Sequence, residues 1–124
     1  MEGARVIIIE DDPRLRQGVR VNLEARDHRI VGEAGTVDEA VELVDSLTSD
    51  DVDIAVVDGN LSHEAEGGFE GERIANLIHE KLPGVVVVGC SLDGGVRGSD
   101  KDIRKGDSWG MDAFVTSLPN REPI

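Results

Sequence analysis

Aromatic side chains make up only 2% of this 124-residue chain: Phe69, Trp109 and Phe114, with no tyrosine. So few rings exclude a base-stacking platform of the kind that holds single-stranded nucleic acid. There is a single cysteine, Cys90, so no internal disulfide can form, as suits a reducing compartment. Basic residues are also scarce, with 13 Lys and Arg against 26 Asp and Glu, for a net charge of -13. Such a field repels phosphate backbones and argues against direct DNA binding, while attracting cations and basic protein surfaces. The longest apolar runs are strand-sized, so nothing in the sequence is suited to span a membrane. No basic segment followed by an apolar stretch opens the chain as a secretory signal would. The expectation is one cytoplasmic domain covering residues 1–124, long enough to bury a real core.

What is present alternates between two periods. RVIIIE (5–10) is a continuous aliphatic run, as in a strand buried on both faces. Asp12-Pro13 reads as a helix N-cap with proline at the first helical position, and Leu15, Val19 and Leu23 follow at helical spacing. RIVGEA (29–34) is a second strand. Thr36 and Glu39 stand at capping-box spacing, ahead of a helical face of Val37, Ala40, Val41, Val44 and Leu47. VDIAVVD (52–58) is a third strand. ERIANLIHEKL (72–82) is a helix stopped by Pro83-Gly84. VVVV (85–88) is a fourth strand, Ser99 to Gly106 fits one short capped helix, and AFVT (113–116) is the fifth strand. After Thr116 only SLPNREPI remains, too short for a closing helix. Strands alternating with helices predict a parallel α/β sheet covered on both faces.

Two strands end on acids. Glu10 and Asp11 close the first, and Asp58 closes the third. In a five-stranded sheet of order 2-1-3-4-5 these strands are neighbours at the point where strand order reverses, which is where open parallel sheets bind ligands. Taken alone, EDDP reads equally as a solvated acidic turn with a helix cap. With VVDGN ending the third strand, the better reading is a cation site. Converging carboxylates raise one another's pKa, and a hard divalent cation such as Mg²⁺ relieves that repulsion.

VIIIEDDPRLRQGVRVNLE followed by DIAVVDGNLS resembles the receiver domain of two-component response regulators. IVGEAGTVDEAVELV and GMDAFVTS extend the resemblance from about residue 4 to residue 117. It implies a flavodoxin-like, doubly wound five-stranded parallel sheet whose last helix is missing here. It also implies phosphoryl transfer to Asp58 from a histidine kinase or phosphotransfer protein, and readout by a downstream protein partner. Asp11 and Asp58 would be side-chain ligands of Mg²⁺, Glu10 would act through a bound water, and Asn60 would lend its backbone carbonyl. Ser91 would be the hydroxyl that contacts the phosphoryl group, with Cys90 in that slot if the register slips by one.

The sequence departs from that family on the opposite side of the site. Ser117 stands where a lysine is expected after the fifth strand, and a shift of one gives Leu118. Lys101 and Lys105, in the loop after the fourth strand, are lysines that would have to reach in to fill that place. Phe114, at the aromatic switch position, has no hydroxyl, and the loop after Asp58 is long. A degenerate receiver that is insensitive to phosphate and acts as an interaction module is therefore the alternative. A hydrolase of the haloacid-dehalogenase type, which also phosphorylates a strand-end Asp, does not match the sequence around Asn60. A flavodoxin or dinucleotide binder would need a phosphate-cradling glycine loop after the first strand, where acids stand instead. His63, His28 and His79 read as solvated residues. The missing last helix predicts a bare aliphatic face beside the first helix and hence a symmetric homodimer.

Overall fold

The computed structural model describes residues 4–58, 69–91 and 100–104, with only the backbone of 58, 69–70, 90–91 and 101–104. The elements run β1 (Arg5–Ile9), α1 (Pro13–Glu24), β2 (Arg29–Ala34), α2 (Val37–Ser46), β3 (Ile54–Asp58), α3 (Phe69–Lys81), β4 (Val86–Ser91) and β5 (Lys101–Arg104). All four pairings are parallel and the sheet order is β2-β1-β3-β4-β5. The first four strands take the predicted order, and residues 101–104 occupy the edge place that was expected for residues 113–116. Among the described residues no helix is long and apolar enough to cross a membrane.

The period of two along each strand feeds two cores. Ile7, Ile9, Ala55, Val57 and Val87 point to the face covered by α2 and α3, where they meet Ala40, Val44, Ile74 and Ile78. Val6, Ile8, Ile54, Val56 and Val88 point to the other face, where Leu23 of α1 packs. Both faces are therefore apolar, which is why β1 and β3 read as unbroken aliphatic runs rather than as alternating ones.

Local chemistry sets the ends of the helices. The Asp12 carboxylate accepts a hydrogen bond from the Arg14 amide at 2.9 Å, with Pro13 at the first helical position. At the other end of α1 the chain turns through Asp27, in the left-handed region at φ 66, a conformation that aspartate tolerates better than most residues. The Thr36 hydroxyl accepts from the Glu39 amide at 3.1 Å. The Glu39 carboxylate reaches back one residue further than in the usual capping box, to the Gly35 amide at 2.8 Å. After α3, Val85 N–H donates to the Leu82 carbonyl across Pro83 and Gly84, and Gly84 takes φ 94. Proline followed by a positive-φ glycine is the chemistry of a type II turn, so the expected helix stop is also the turn into β4.

Three expectations change. Residues 101–104 form a strand where a helix over Ser99 to Gly106 was expected, with Lys101 in register with Val88 and Arg104 with Ser91. The unpaired edge of β4 captures this segment, and its Lys-Asp-Ile-Arg sequence carries the charges that edge strands use against further pairing. Residues 113–116, the tail and Ser117 lie outside the described residues. The bare face was expected on strands one, three and five beside α1. On β1 and β3 it is not found, since Val6, Ile8, Ile54 and Val56 are all at most 3% exposed, and the expected fifth strand lies outside the described residues. The homodimer expected through that face loses the support of β1 and β3. Finally, α1 buries Leu23 and half-buries Val19, but leaves Leu15 38% exposed, so its apolar stripe is anchored at one end only.

Candidate acidic site at the carboxyl ends of the strands

β1 and β3 lie side by side in register, with Ile9 opposite Val57, so Glu10 and Asp58 are the next residues on adjacent parallel strands. Neighbouring strands run about 4.8 Å apart, so the two backbones leave the sheet together. On the other side of β3, Asp58 is in register with Cys90, and Ser91 follows as the last residue of β4. Glu10, Asp11, Asp58 and Ser91 are thus brought to one end of the sheet, at the point where strand order reverses. Asn60 and His63 lie outside the described residues.

The acid pair is held by its backbone. Glu10 N–H donates to the Ala34 carbonyl at 3.0 Å, which extends the β1–β2 pairing past the end of the strand. The Glu10 carbonyl accepts from the Arg16 guanidinium Nη1 at 2.8 Å. Glu10 is 6% exposed, and among the described residues it is the one charged residue buried to this degree. Asp12 has a different task from its two neighbours, because its carboxylate caps α1 and its carbonyl accepts from the Arg16 amide at 2.9 Å. The EDDP stretch therefore divides: Glu10 and Asp11 belong to the strand end, and Asp12 belongs to the helix.

Around this turn lies a cluster that sequence reasoning missed. Arg16 Nε is 3.4 Å from a Glu33 oxygen, and Arg20 Nη1 is 3.0 Å from the other. Glu33 sits on β2, and nothing in the sequence pairs it with helical residues so far from it. The only hint was that Arg16 and Arg20 are one helical turn apart. Two histidines read as solvated also have fixed partners. His28 Nδ1 accepts from the Ala4 amide at 2.9 Å, and His79 Nε2 lies 2.9 Å from an Asp100 oxygen.

Among the described residues no three His, Cys, Asp or Glu side chains group as a metal site. The Asp58 carboxylate and Asn60 stand outside that set. The donors contributed by β1, two carboxylates at the end of an apolar strand, are hard oxygen ligands of the type Mg²⁺ accepts.

This arrangement defines a class: a doubly wound parallel sheet with strand-end acids at its switch point. No family model matches the chain. Over 124 residues it is 31% identical to the nitrate/nitrite response regulator protein NarL of Escherichia coli strain K12, matching 98% of this chain and 50% of that protein. The chain thus spans about half the length of the curated relatives it matches. Its fold is similar to the signal receiver domain of the response regulator NarL from Mycobacterium tuberculosis, at TM-score 0.73 and 21% identity, over 94% of this chain and 95% of that one. It is similar also to a CheY-like receiver domain protein from Methanospirillum hungatei, at TM-score 0.75 and 17% identity, over 93% and 92% of the two chains. A third similar structure is the isolated REC domain of RcsB from Salmonella enterica serovar Typhimurium in the presence of phosphomimetic BeF3-, at TM-score 0.59 and 21% identity, over 73% and 63%. In sequence this chain is similar to a response regulator, and in fold to response-regulator receiver domains.

Proposed function

We propose that this domain accepts a phosphoryl group on Asp58 in a two-component signalling pathway and passes the change to a protein partner. The observation that carries the reading is the placement of Glu10 and Asp11 at the carboxyl end of β1, next to Asp58 at the carboxyl end of β3. In the transfer, an Asp58 carboxylate oxygen forms a bond to phosphorus. The bond from phosphorus to the donor breaks, and its electron pair leaves with the donor, a kinase or phosphotransfer histidine or a small acyl phosphate. When bound, Mg²⁺ would supply charge neutralisation on the transferring group. Asp11 and Asp58 would hold it by their side chains, Glu10 through water and Asn60 by its backbone carbonyl. Ser91, one residue beyond the register of Asp58, would offer its hydroxyl to a phosphoryl oxygen. The setting is cytoplasmic, the immediate partners are proteins, and the net charge of -13 argues against direct contact with nucleic acid by this domain.

The second reading, a phosphate-insensitive interaction module, is favoured by Ser117 in the place of a lysine. The register of β5 weakens it: Arg104 ends that strand opposite Ser91, and Lys105 follows. Arg104 is thus a basic residue that the backbone of β5 brings to this end of the sheet.

Beryllofluoride with Mg²⁺, followed by amide chemical shifts, separates the two readings. Shifts at Asp11, Asp58 and Ser91 that saturate and need both reagents support the receiver. Unmoved amides support the interaction module.

A further inference from the structure

Resting on that reading of the acidic site, we infer that Arg16 is its positioning residue: one side chain and one amide hold both neighbours of Asp11 and so fix where its carboxylate stands.

The geometry is a straddle. The Arg16 guanidinium donates to the carbonyl of Glu10 at 2.8 Å, and the Arg16 amide donates to the carbonyl of Asp12 at 2.9 Å. Glu10 is further pinned by its own N–H to Ala34, and Asp12 by its carboxylate on the Arg14 amide. Asp11 is the one residue between these two fixed points. Its backbone is held from both sides by these contacts.

The guanidinium is itself aimed. Glu33 on β2 faces it at 3.4 Å and also binds Arg20 at 3.0 Å, so the acid sits between two arginines of α1. Gly35 leaves the space that Arg16 occupies: a Cβ there would stand 2.8 Å from Arg16 Nη1 and 3.7 Å from the Glu10 carbonyl oxygen. A Cβ at Gly35 would therefore make the Arg16 head shift. A planar fork with several fixed donors suits this task, whereas a lysine would reach one partner as a point charge. The Arg16 head remains a quarter exposed, so it is a hinge pin at the surface and not a core group.

Mg²⁺ demands near-octahedral geometry, whereas Ca²⁺ accepts irregular shells. A loosened Asp11 should therefore weaken Mg²⁺ binding more than Ca²⁺ binding. A merely structural defect would scale both alike.

The test uses the whole chain with Arg16→Gln, Arg16→Lys, Glu33→Gln and Gly35→Ala, the last changing no charge. Mg²⁺ and Ca²⁺ titrations are followed by amide shifts, and hydrogen exchange of the Asp11 amide is measured without metal. We expect Arg16→Gln and Gly35→Ala to weaken Mg²⁺ about tenfold, within the range that outer-shell partners command, with a smaller effect on Ca²⁺. Arg16→Lys should recover part of the loss, and Glu33→Gln should fall between. The Asp11 amide should exchange faster in Arg16→Gln and Gly35→Ala. Unchanged exchange of that amide in folded Arg16→Gln and Gly35→Ala would overturn the inference, as would equal losses of Mg²⁺ and Ca²⁺ affinity. A wild-type chain that binds no Mg²⁺ would sink the metal reading alone, and the exchange rate of the Asp11 amide would then decide the role of Arg16.

Discussion

Asp100 and Val87 exchange two hydrogen bonds: the Asp100 carboxylate accepts from the Val87 amide at 2.8 Å, and the Asp100 amide donates to the Val87 carbonyl at 2.8 Å. The pair starts β5 against β4, and the same carboxylate oxygen meets His79 of α3 at 2.9 Å. Burial alone pushes the Asp100 carboxyl up, but the Val87 amide and His79 together outweigh it, and the net direction is below the ordinary aspartate range. A carboxyl lowered in the folded state stabilises above its unfolded pKa, and that contribution is lost as pH falls through the folded one. Asp100→Asn should therefore cost stability at pH 7, and the difference from wild type should shrink as pH drops below about 4. The side chain is 47% exposed, so after solvent screening the effect is on the order of 0.5 kcal/mol. Urea denaturation of both proteins across pH 3 to 7, a window set by the ordinary aspartate range of about 4, measures it. A difference that grows toward low pH would contradict the assignment.

Gly32 faces Leu43 more closely than any side chain allows. A Cβ there would lie 2.5 Å from Leu43 Cδ1, the far end of a flexible chain that packs α2 against the core. Gly32→Ala should force Leu43 to a new rotamer and cost about 1–3 kcal/mol. Adding Leu43→Ala to it should cost less than the sum of the two single changes. Strict additivity in denaturant midpoints would mean that the two residues do not compete for the same space.

Adjacent acids should behave as different machines. Asp12→Ala removes the cap on the Arg14 amide and should cost about 1 kcal/mol of stability while leaving Mg²⁺ affinity nearly intact. Asp11→Ala should abolish Mg²⁺ binding with little change in stability. Paired calorimetric titrations and thermal melts check this, and the reverse assignment of losses would overturn the division of the EDDP stretch.

Much of this was legible because the signals were local or repeated. The aliphatic runs of β1 and β3, the Asp12-Pro13 cap and the Pro83-Gly84 stop each follow from neighbouring residues, and the strand-end acids follow from where those runs stop. What stayed hidden depends on residues distant in sequence. Arg16 and Glu33 meet only because α1 folds back over β2. The ties of His28 to Ala4 and of His79 to Asp100 likewise join separate elements. Residues 101–104 were misread for a related reason: Ser99 with Asp102 as a cap and Gly106 as a stop are local signals, and the open edge of β4 overrides them. The bare face was inferred from a helix count, and the residues of β1 and β3 that were to line it are buried.

The central claim is that Asp58, at the end of β3, is the residue that takes the phosphoryl group. Intact-mass measurement of the chain after incubation with acetyl phosphate and Mg²⁺ tests it most directly. The wild-type protein should gain the mass of one phosphoryl group, and should gain none when Mg²⁺ is chelated before the donor is added. Asp58→Asn should gain none, because an amide is not a nucleophile. An unlabelled wild-type chain, or a label that persists in Asp58→Asn, would contradict the account.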